Sequence, residues 1–360
     1  MFCARCHREY EDDSLFCAYD GERLAASRHI SLFKAGATRH AGEVLADRYA
    51  IRGYVGKGAM ARVYLGEDLH TNEAVALKVL EGTSTRGARA KMRFIRESQA
   101  ANRIGHPNIV RIHEVGENGD GAPFIVMEFL HGESLGDLLR RDGRVPADMA
   151  LPVVRQVASG LAEAHRVGVI HRDVKPDNLF LVGEPGDPYA VKILDFGLAK
   201  LSEDSGVTAS GIAVGTLEYM SPEQVVTDPI DHRSDIYGLG VVMYRIFTGQ
   251  LPFHAKLDAD LLAEQLLLPL PDPKTRVPAL GDGIPQVISK ATRKRPDNRY
   301  QSMDDFVADL DRLLGDLDGD LIASGPVLHH PDEYMPQSAF ARHAAGYFYR
   351  KIGRQVPWSE

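Results

Sequence analysis

Two short polar runs hold most of the chemistry this chain could perform. His171-Arg172-Asp173-Val174-Lys175-Pro176-Asp177-Asn178 packs acids, bases, an amide and a proline into eight consecutive residues, a pattern with neither helical nor strand periodicity. Apolar Val169-Ile170 precedes it and Leu179-Phe180-Leu181 follows, which predicts a functional loop between two short strands. Seventeen residues after Asn178 comes Asp195-Phe196-Gly197, again behind an apolar pair, Ile193-Leu194. Asn178 and Asp195 together offer hard oxygen ligands, which Mg²⁺ bound to phosphates requires.

A phosphate-binding role is also open to the run Gly56-Lys57-Gly58-Ala59-Met60-Ala61-Arg62-Val63, which lies between two predicted strands. Glycines there let a hairpin backbone approach phosphate oxygens with no side chain in the way. A glycine-rich hairpin that binds nothing is the plain alternative. Fifteen residues past Val63, Val75-Ala76-Leu77-Lys78 places a lysine in an apolar strand. Burying that amine is costly without an anionic partner. Glu97, in Phe94-Ile95-Arg96-Glu97-Ser98, is the candidate protein partner, and a nucleotide phosphate the candidate ligand. The bland reading is an amine that snorkels to solvent.

The chain has three cysteines, Cys3, Cys6 and Cys17, all within its first 17 residues. That is no disulfide framework, and clustered thiols in a reducing compartment suggest a metal. Cys3-x-x-Cys6 and Cys17-x-x-Asp20 have the paired spacing of a zinc ribbon, with aspartate as the last ligand. His7 is a rival fourth ligand, strained by its adjacency to Cys6. Three free thiols on a tail are the alternative. Against that, so short a segment has too little core to stay folded without a metal.

These residues need a scaffold, and 360 residues with 44% hydrophobic and 26% charged content can build one. Fifty acidic against 42 basic side chains, a formal charge of −8, argue against a surface that coats nucleic acid. Neither a secretory leader nor an apolar run long enough for a bilayer is expected, so the chain reads as soluble and cytoplasmic. Residues 1–24 form the cysteine-bearing unit and 25–46 a linker. Short strands are predicted at Tyr49–Ile51, Val63–Leu65, Ala74–Val79, Ile109–Val115 and Phe124–Phe129, with a helix over 87–104. Beyond Gly132 the spacing turns helical, at 151–167, 234–248, 259–267, 283–292 and 303–314. The tail, 315–360, holds one amphipathic candidate with Phe340, Ala344, Tyr347, Phe348 and Ile352 on a stripe.

Taken together, the glycine loop at 56–63, Val75–Lys78, Glu97, the run 171–178, Asp195–Gly197, Ser221-Pro222-Glu223, Ser234–Tyr237 and Arg299 resemble the eukaryotic-type protein kinases, specifically the bacterial serine/threonine kinases. The resemblance covers about Tyr49 to Leu314, near three quarters of the chain. It implies an α+β, two-lobed kinase fold over residues 47–314, with a strand-rich N-lobe and a helical C-lobe. It also implies roles. Lys78, held by Glu97, would contact the α- and β-phosphates of ATP, and residues Val55 to Val63 would cover them. Asn178 and Asp195 would bind Mg²⁺ or Mn²⁺, Asp173 would accept the proton of the substrate hydroxyl, and Lys175 would steady the γ-phosphate.

Met127 looks like the gatekeeper and Glu128 to Leu130 like the adenine-binding hinge, with Val63, Ala76 and Phe180 enclosing the ring. Lys175, two residues after Asp173, and Gly215–Glu223 resemble the serine/threonine type, and Glu223 is expected to pair with Arg299. Ala61 stands where such loops normally carry glycine, Leu217 where the family often has proline, and Ser221 where it usually has alanine. Arg172 implies switching by a phosphate on the activation segment, at Thr208 or Ser210, with Thr216 a poorer candidate. Phe16-Cys17-Ala18-Tyr19-Asp20-Gly21 is similar to the second knuckle of zinc ribbons found ahead of bacterial kinases. The expected partners are ATP and protein substrates, without nucleic acid. The rival function is a pseudokinase scaffold, which Lys78, Asp173 and Asp195 argue against.

Overall fold

The computed structural model describes residues 43–57, 61–80, 95, 102–119, 121–145, 147–183, 189–196, 217–255 and 257–317. The predicted zinc ligands Cys3, Cys6, Cys17 and Asp20 lie outside these residues. So do the loop tip Gly58-Ala59-Met60, Glu97, Gly197, Thr208, Ser210, Thr216 and the stripe in the tail. The chain divides into two compact units, one reaching to Asn102 and resuming over Val110–Glu133, the other made of Arg103–Ile109 and everything from Ser134.

The first unit is a six-stranded sheet of β1 (Val44–Leu45), β2 (Tyr49–Lys57), β3 (Ala61–Asp68), β4 (Glu73–Leu80), β5 (Ile112–Glu117) and β6 (Pro123–Glu128). Its order is β1-β2-β3-β4-β6-β5, with antiparallel pairing from β2 through to β5. Side chains alternate across a strand, so Val75, Leu77 and Val79 of β4 point one way. They pack there with Tyr49, Ile51, Tyr64, Phe124 and Val126 in a buried core. Ala76 and Lys78 therefore occupy the opposite face. Two register shifts in β2, between Ile51 and Gly53 and between Tyr54 and Gly56, bend that strand toward its glycine-rich end. Arg48 clamps Asp68 through two hydrogen bonds of 2.9 and 2.7 Å and reaches Glu114 at 3.2 Å, tying β3 to β5.

The chain leaves this unit through β7 (Gly132–Ser134). The second unit contains α1 (Leu135–Asp142), α2 (Ala147–Arg166), the antiparallel pair β8 (Leu179–Val182) and β9 (Ala190–Ile193), α3 (Pro222–Val225) and α4 (Arg233–Thr248). It is completed by α5 (Asp258–Leu267), α6 (Gly283–Ala291) and α7 (Met303–Leu317). Nearly every residue of α4 is buried, the signature of a helix that is apolar all round and runs through a core. Small residues let its neighbours close in. A Cβ on Gly240 would lie 2.6 Å from the Thr292 methyl and 2.9 Å from the Ala291 Cβ, so α6 rests on the helix backbone there.

Two strand expectations need correction. Val169-Ile170 forms no strand: Gly168, at φ 75°, turns the chain out of α2, and the Val169 N–H returns to the Ala164 carbonyl as a helix exit. The strand expected over Ile109–Val115 begins only at Ile112. Asn108 is drawn into the second unit instead, where its side chain donates to Gln156 Oε1 and to the Val191 carbonyl. Ile109 then makes a single parallel bridge to Ile193.

Candidate active site

In the first unit, strand pairing collects the residues expected to meet a nucleotide. Val63 lies opposite Lys78, Ala76 opposite both Leu65 and Met127, and Lys78 opposite Ile125. Directly opposed residues share a face, so Val63, Ala76, Lys78 and Met127 line the sheet surface away from the core. Gly56 pairs with Val63 and Lys57 with Arg62, which carries the β2–β3 hairpin to the foot of its glycine-rich tip. A Cβ on Gly56 would meet nothing within 4 Å, so the space above that backbone is open. Ala61, at the tip's far side, is buried, whereas Val55 is half-buried. Glu128 ends β6 bonded to Arg111, its N–H donating to the Arg111 carbonyl and its carboxylate accepting the Arg111 N–H. That exchange fixes the strand end ahead of Leu130.

In the second unit the run 171–178 is a loop that closes in a short 3₁₀ turn, Pro176–Asn178. Within it, Asp173 is gripped from two sides. Lys175 Nζ stands 2.8 Å from Asp173 Oδ2, and Asn178 Nδ2 donates to the same oxygen at 3.1 Å and to the Asp173 carbonyl at 2.8 Å. The carboxylate is thus oriented and only partly exposed. With its Nδ2 committed to Asp173, Asn178 keeps its carbonyl oxygen as the atom to offer a cation. Asp195 follows β9 in an exposed, left-handed conformation, φ 48°, and the Leu194 N–H before it donates to the Asn178 carbonyl at 2.8 Å. Among the described residues no group of three or more His, Cys, Asp and Glu side chains could hold a metal. One carboxylate and one amide suffice where phosphates supply the remaining ligands, so this donor set fits Mg²⁺. Phe180 is half-buried on β8, opposite Lys192.

The loop's shape depends on groups whose roles the sequence left unassigned. Arg172 adopts φ 67°, a left-handed conformation that is unfavourable for a side chain of this size. The buried Asp235 carboxylate accepts the Arg172 N–H at 2.7 Å and the His171 N–H at 2.8 Å, and receives His165 Nε2 at 2.7 Å. Burial alone would raise the Asp235 pKa. The His165 hydrogen bond, the neighbouring histidines and the backbone N–H donors reverse that and hold it below the ordinary carboxylate value. His171 Nδ1 accepts the Asp173 N–H, leaving Nε2–H to bond the Leu194 carbonyl at 2.9 Å. The His171 ring packs on buried Phe196 at 4.8 Å, joining the two polar runs. In α4, a Cβ on Gly238 would sit 3.2 Å from Val174 Cβ, so the helix passes directly beneath the loop. The resemblance over Ser234–Tyr237 singled out this stretch in the sequence without giving Asp235 a role.

Glu223 and Arg299 form the expected ion pair, both buried, with nitrogen–oxygen distances of 2.7 and 2.8 Å. Ser234 Oγ donates to the same carboxylate, and Arg299 also donates to the carbonyls of Arg233, Arg293 and Lys294. This pair moors the segment that runs from Asp195 to Glu223. Above it, the 3₁₀ turn Leu217–Tyr219 rests on α5, where buried Gln265 donates to the Glu218 carbonyl and accepts from Tyr237. The guanidinium of Arg172 has its Nε and Nη1 buried without a hydrogen-bond partner among the described residues, and burial depresses its pKa despite nearby Asp235.

A strand-rich unit and a helical unit whose loop presents an oriented aspartate define the protein kinase fold, and the comparisons place the chain within that family. The family described as Protein kinase domain matches residues 49–308, and the chain belongs to that family. It is 37% identical over 277 residues to the serine/threonine-protein kinase pkn3 of Myxococcus xanthus, covering 75% of this chain and 51% of that one. It is 38% identical over 275 residues to the serine/threonine-protein kinase PknB of Mycobacterium tuberculosis, covering 75% and 43% respectively. The chain therefore spans about half, or less, of the length of these relatives. The crystal structure of the Mycobacterium tuberculosis PknI kinase domain matches with a TM-score of 0.59 at 28% identity, covering 76% of this chain and 98% of that one. Among the described residues no helix is long and apolar enough to cross a membrane.

Proposed function

We propose that this chain is a serine/threonine protein kinase that transfers the γ-phosphate of ATP to hydroxyls of protein substrates. The observation that carries the reading is Asp173, its carboxylate held between Lys175 and Asn178. Phosphoryl transfer asks little covalent work of a protein, so positioning and charge neutralisation supply the acceleration. Asp173 orients the acceptor hydroxyl and takes its proton, and Lys175 steadies the phosphate being transferred. Lys78, paired with Glu97, and the loop Val55–Val63 hold the nucleotide phosphates. Met127, Glu128, Leu130, Val63, Ala76 and Phe180 receive the adenine. Asn178 and Asp195 would hold Mg²⁺, which neutralises and aligns the phosphates when bound.

Residues 47–314 constitute the kinase domain in this reading, between a linker over 25–46 and a tail over 315–360. Residues 1–24 form a zinc ribbon through Cys3, Cys6, Cys17 and Asp20, three thiolates and a carboxylate, the thiols being suited to the reducing cytoplasm. Arg172, whose buried Nε and Nη1 have no hydrogen-bond partner among the described residues, is suited to receive a phosphate placed on Thr208 or Ser210. The test is incubation of the pure protein with Mg-ATP labelled at the γ-phosphate, alone and with a generic basic protein. Label on serine and threonine is expected, and absence of label from both proteins overturns the reading.

A further inference from the structure

Gln224, in the short helix α3, ties together two segments far apart in sequence. Its Oε1 accepts the Ser221 backbone N–H at 3.0 Å and the Ser221 hydroxyl at 3.2 Å. Its Nε2 donates to the Arg172 carbonyl at 2.8 Å. That carbonyl belongs to the peptide leading into Asp173, on the far side of the left-handed residue at φ 67°. Arg172 is thus clamped at both ends. Asp235 takes its N–H at 2.7 Å, and Gln224 takes its carbonyl. The Asp235 grip comes from a helix buried in the core, which is present whenever the unit is folded. The Gln224 grip comes from α3, which is anchored by the buried pair of Glu223 and Arg299.

We infer that Gln224 is a positioning residue that holds the backbone geometry of Arg172, and through it the placement of the Asp173 carboxylate. The inference rests on the kinase reading above. A left-handed backbone relaxes when one of its two clamps is withdrawn. Asp173 is the next residue and shares the peptide that Gln224 holds. Misplacement of a reacting group by about 1 Å costs on the order of 100-fold in rate, so a partial shift should cost about tenfold.

Two variants separate this role from simple support of the fold. Gln224→Glu keeps the acceptor that Ser221 uses but removes the donor to Arg172 when ionised. Once protonated it regains an O–H donor. The charged groups around this position are Arg172 and Asp173 of the loop, Asp235 of α4 and the adjacent Glu223, itself paired with Arg299. Gln224→Met removes every polar contact. Transfer to a basic protein substrate is measured with the full chain and expressed per site that binds a non-hydrolysable ATP analogue, so unfolded protein drops out. For Gln224→Glu we expect kcat about tenfold below wild type near pH 8, an ATP KM within about twofold, and a deficit that narrows toward pH 6 as the carboxyl is protonated. For Gln224→Met we expect a similar deficit that does not narrow. Wild-type kcat per competent site in both variants overturns the role, as does a Gln224→Glu deficit that is independent of pH. A wild-type protein that binds ATP but transfers nothing overturns the kinase reading itself, and this inference with it.

Discussion

The carboxylate of Asp235 accepts the N–H of Arg172 at 2.7 Å, and so a buried acid in a core helix holds a left-handed residue directly ahead of the candidate base Asp173. The same carboxylate takes the His171 N–H and His165 Nε2, so one side chain organises both the entrance to the loop and the C-terminal end of α2. Its support is built into the core of the second unit.

Asp235→Asn should therefore lower both stability and transfer. An amide leaves one of the three donors unmatched, which costs about 2 kcal/mol for a buried group. Because Asp235 titrates below its unfolded value, its contribution is present above about pH 4 and is lost as the pH falls through the depressed folded value. Melting temperatures of wild type and variant, measured across pH, should differ by a constant amount near neutrality and converge in acid.

Asp173→Asn should leave ATP binding largely intact while transfer falls by about 10²- to 10⁴-fold, the usual contribution of a positioned acid–base group. Lys78→Met should act on nucleotide placement instead and raise the ATP KM. Steady-state kinetics paired with nucleotide titration distinguish the two patterns.

Breaking the Glu223–Arg299 pair from one side should cost about 3–5 kcal/mol, because a buried charge is left alone. Arg299→Leu is the sharper test, since among the described residues Glu223 then keeps Ser234 as its one side-chain partner. Urea denaturation should show the double variant Glu223→Leu/Arg299→Leu losing less than Arg299→Leu alone.

Autophosphorylation within residues 202–210 should activate the protein by bringing an anion to Arg172, whose Nε and Nη1 lack a hydrogen-bond partner among the described residues. Mass spectrometry after incubation with ATP should find the phosphate. Arg172→Ala should abolish the difference in activity between phosphorylated and dephosphorylated protein.

Metal analysis of protein purified without chelator should find about one zinc per chain, as a four-ligand structural site requires. Cys3→Ser or Cys17→Ser should release it while transfer by residues 47–314 continues.

The sequence by itself determined the elements and the reacting groups. Periodicity located α4 to within one residue, 234–248 against Arg233–Thr248, because Ile236 to Tyr244 carries no charged side chain. The runs 171–178 and 195–197 stood out because polar residues at such density belong to no regular element. The apolar run Val75-Ala76-Leu77 placed Lys78 on a strand, and β4 spans it. Only the tertiary structure decided what holds those groups in place. Asp235 and Gln224 reach Arg172 from 63 and 52 residues away in the chain. Hydrogen bonds across such distances leave no periodic trace, since any spacing can be closed by a fold. The same reason explains Asn108, whose anchoring to Gln156 and Val191 pulled Ile109 out of the strand its apolar neighbours predicted. Local pattern records what a residue needs from its immediate neighbours. The left-handed turn at Arg172 is unfavourable locally and is maintained by partners that only folding brings to it.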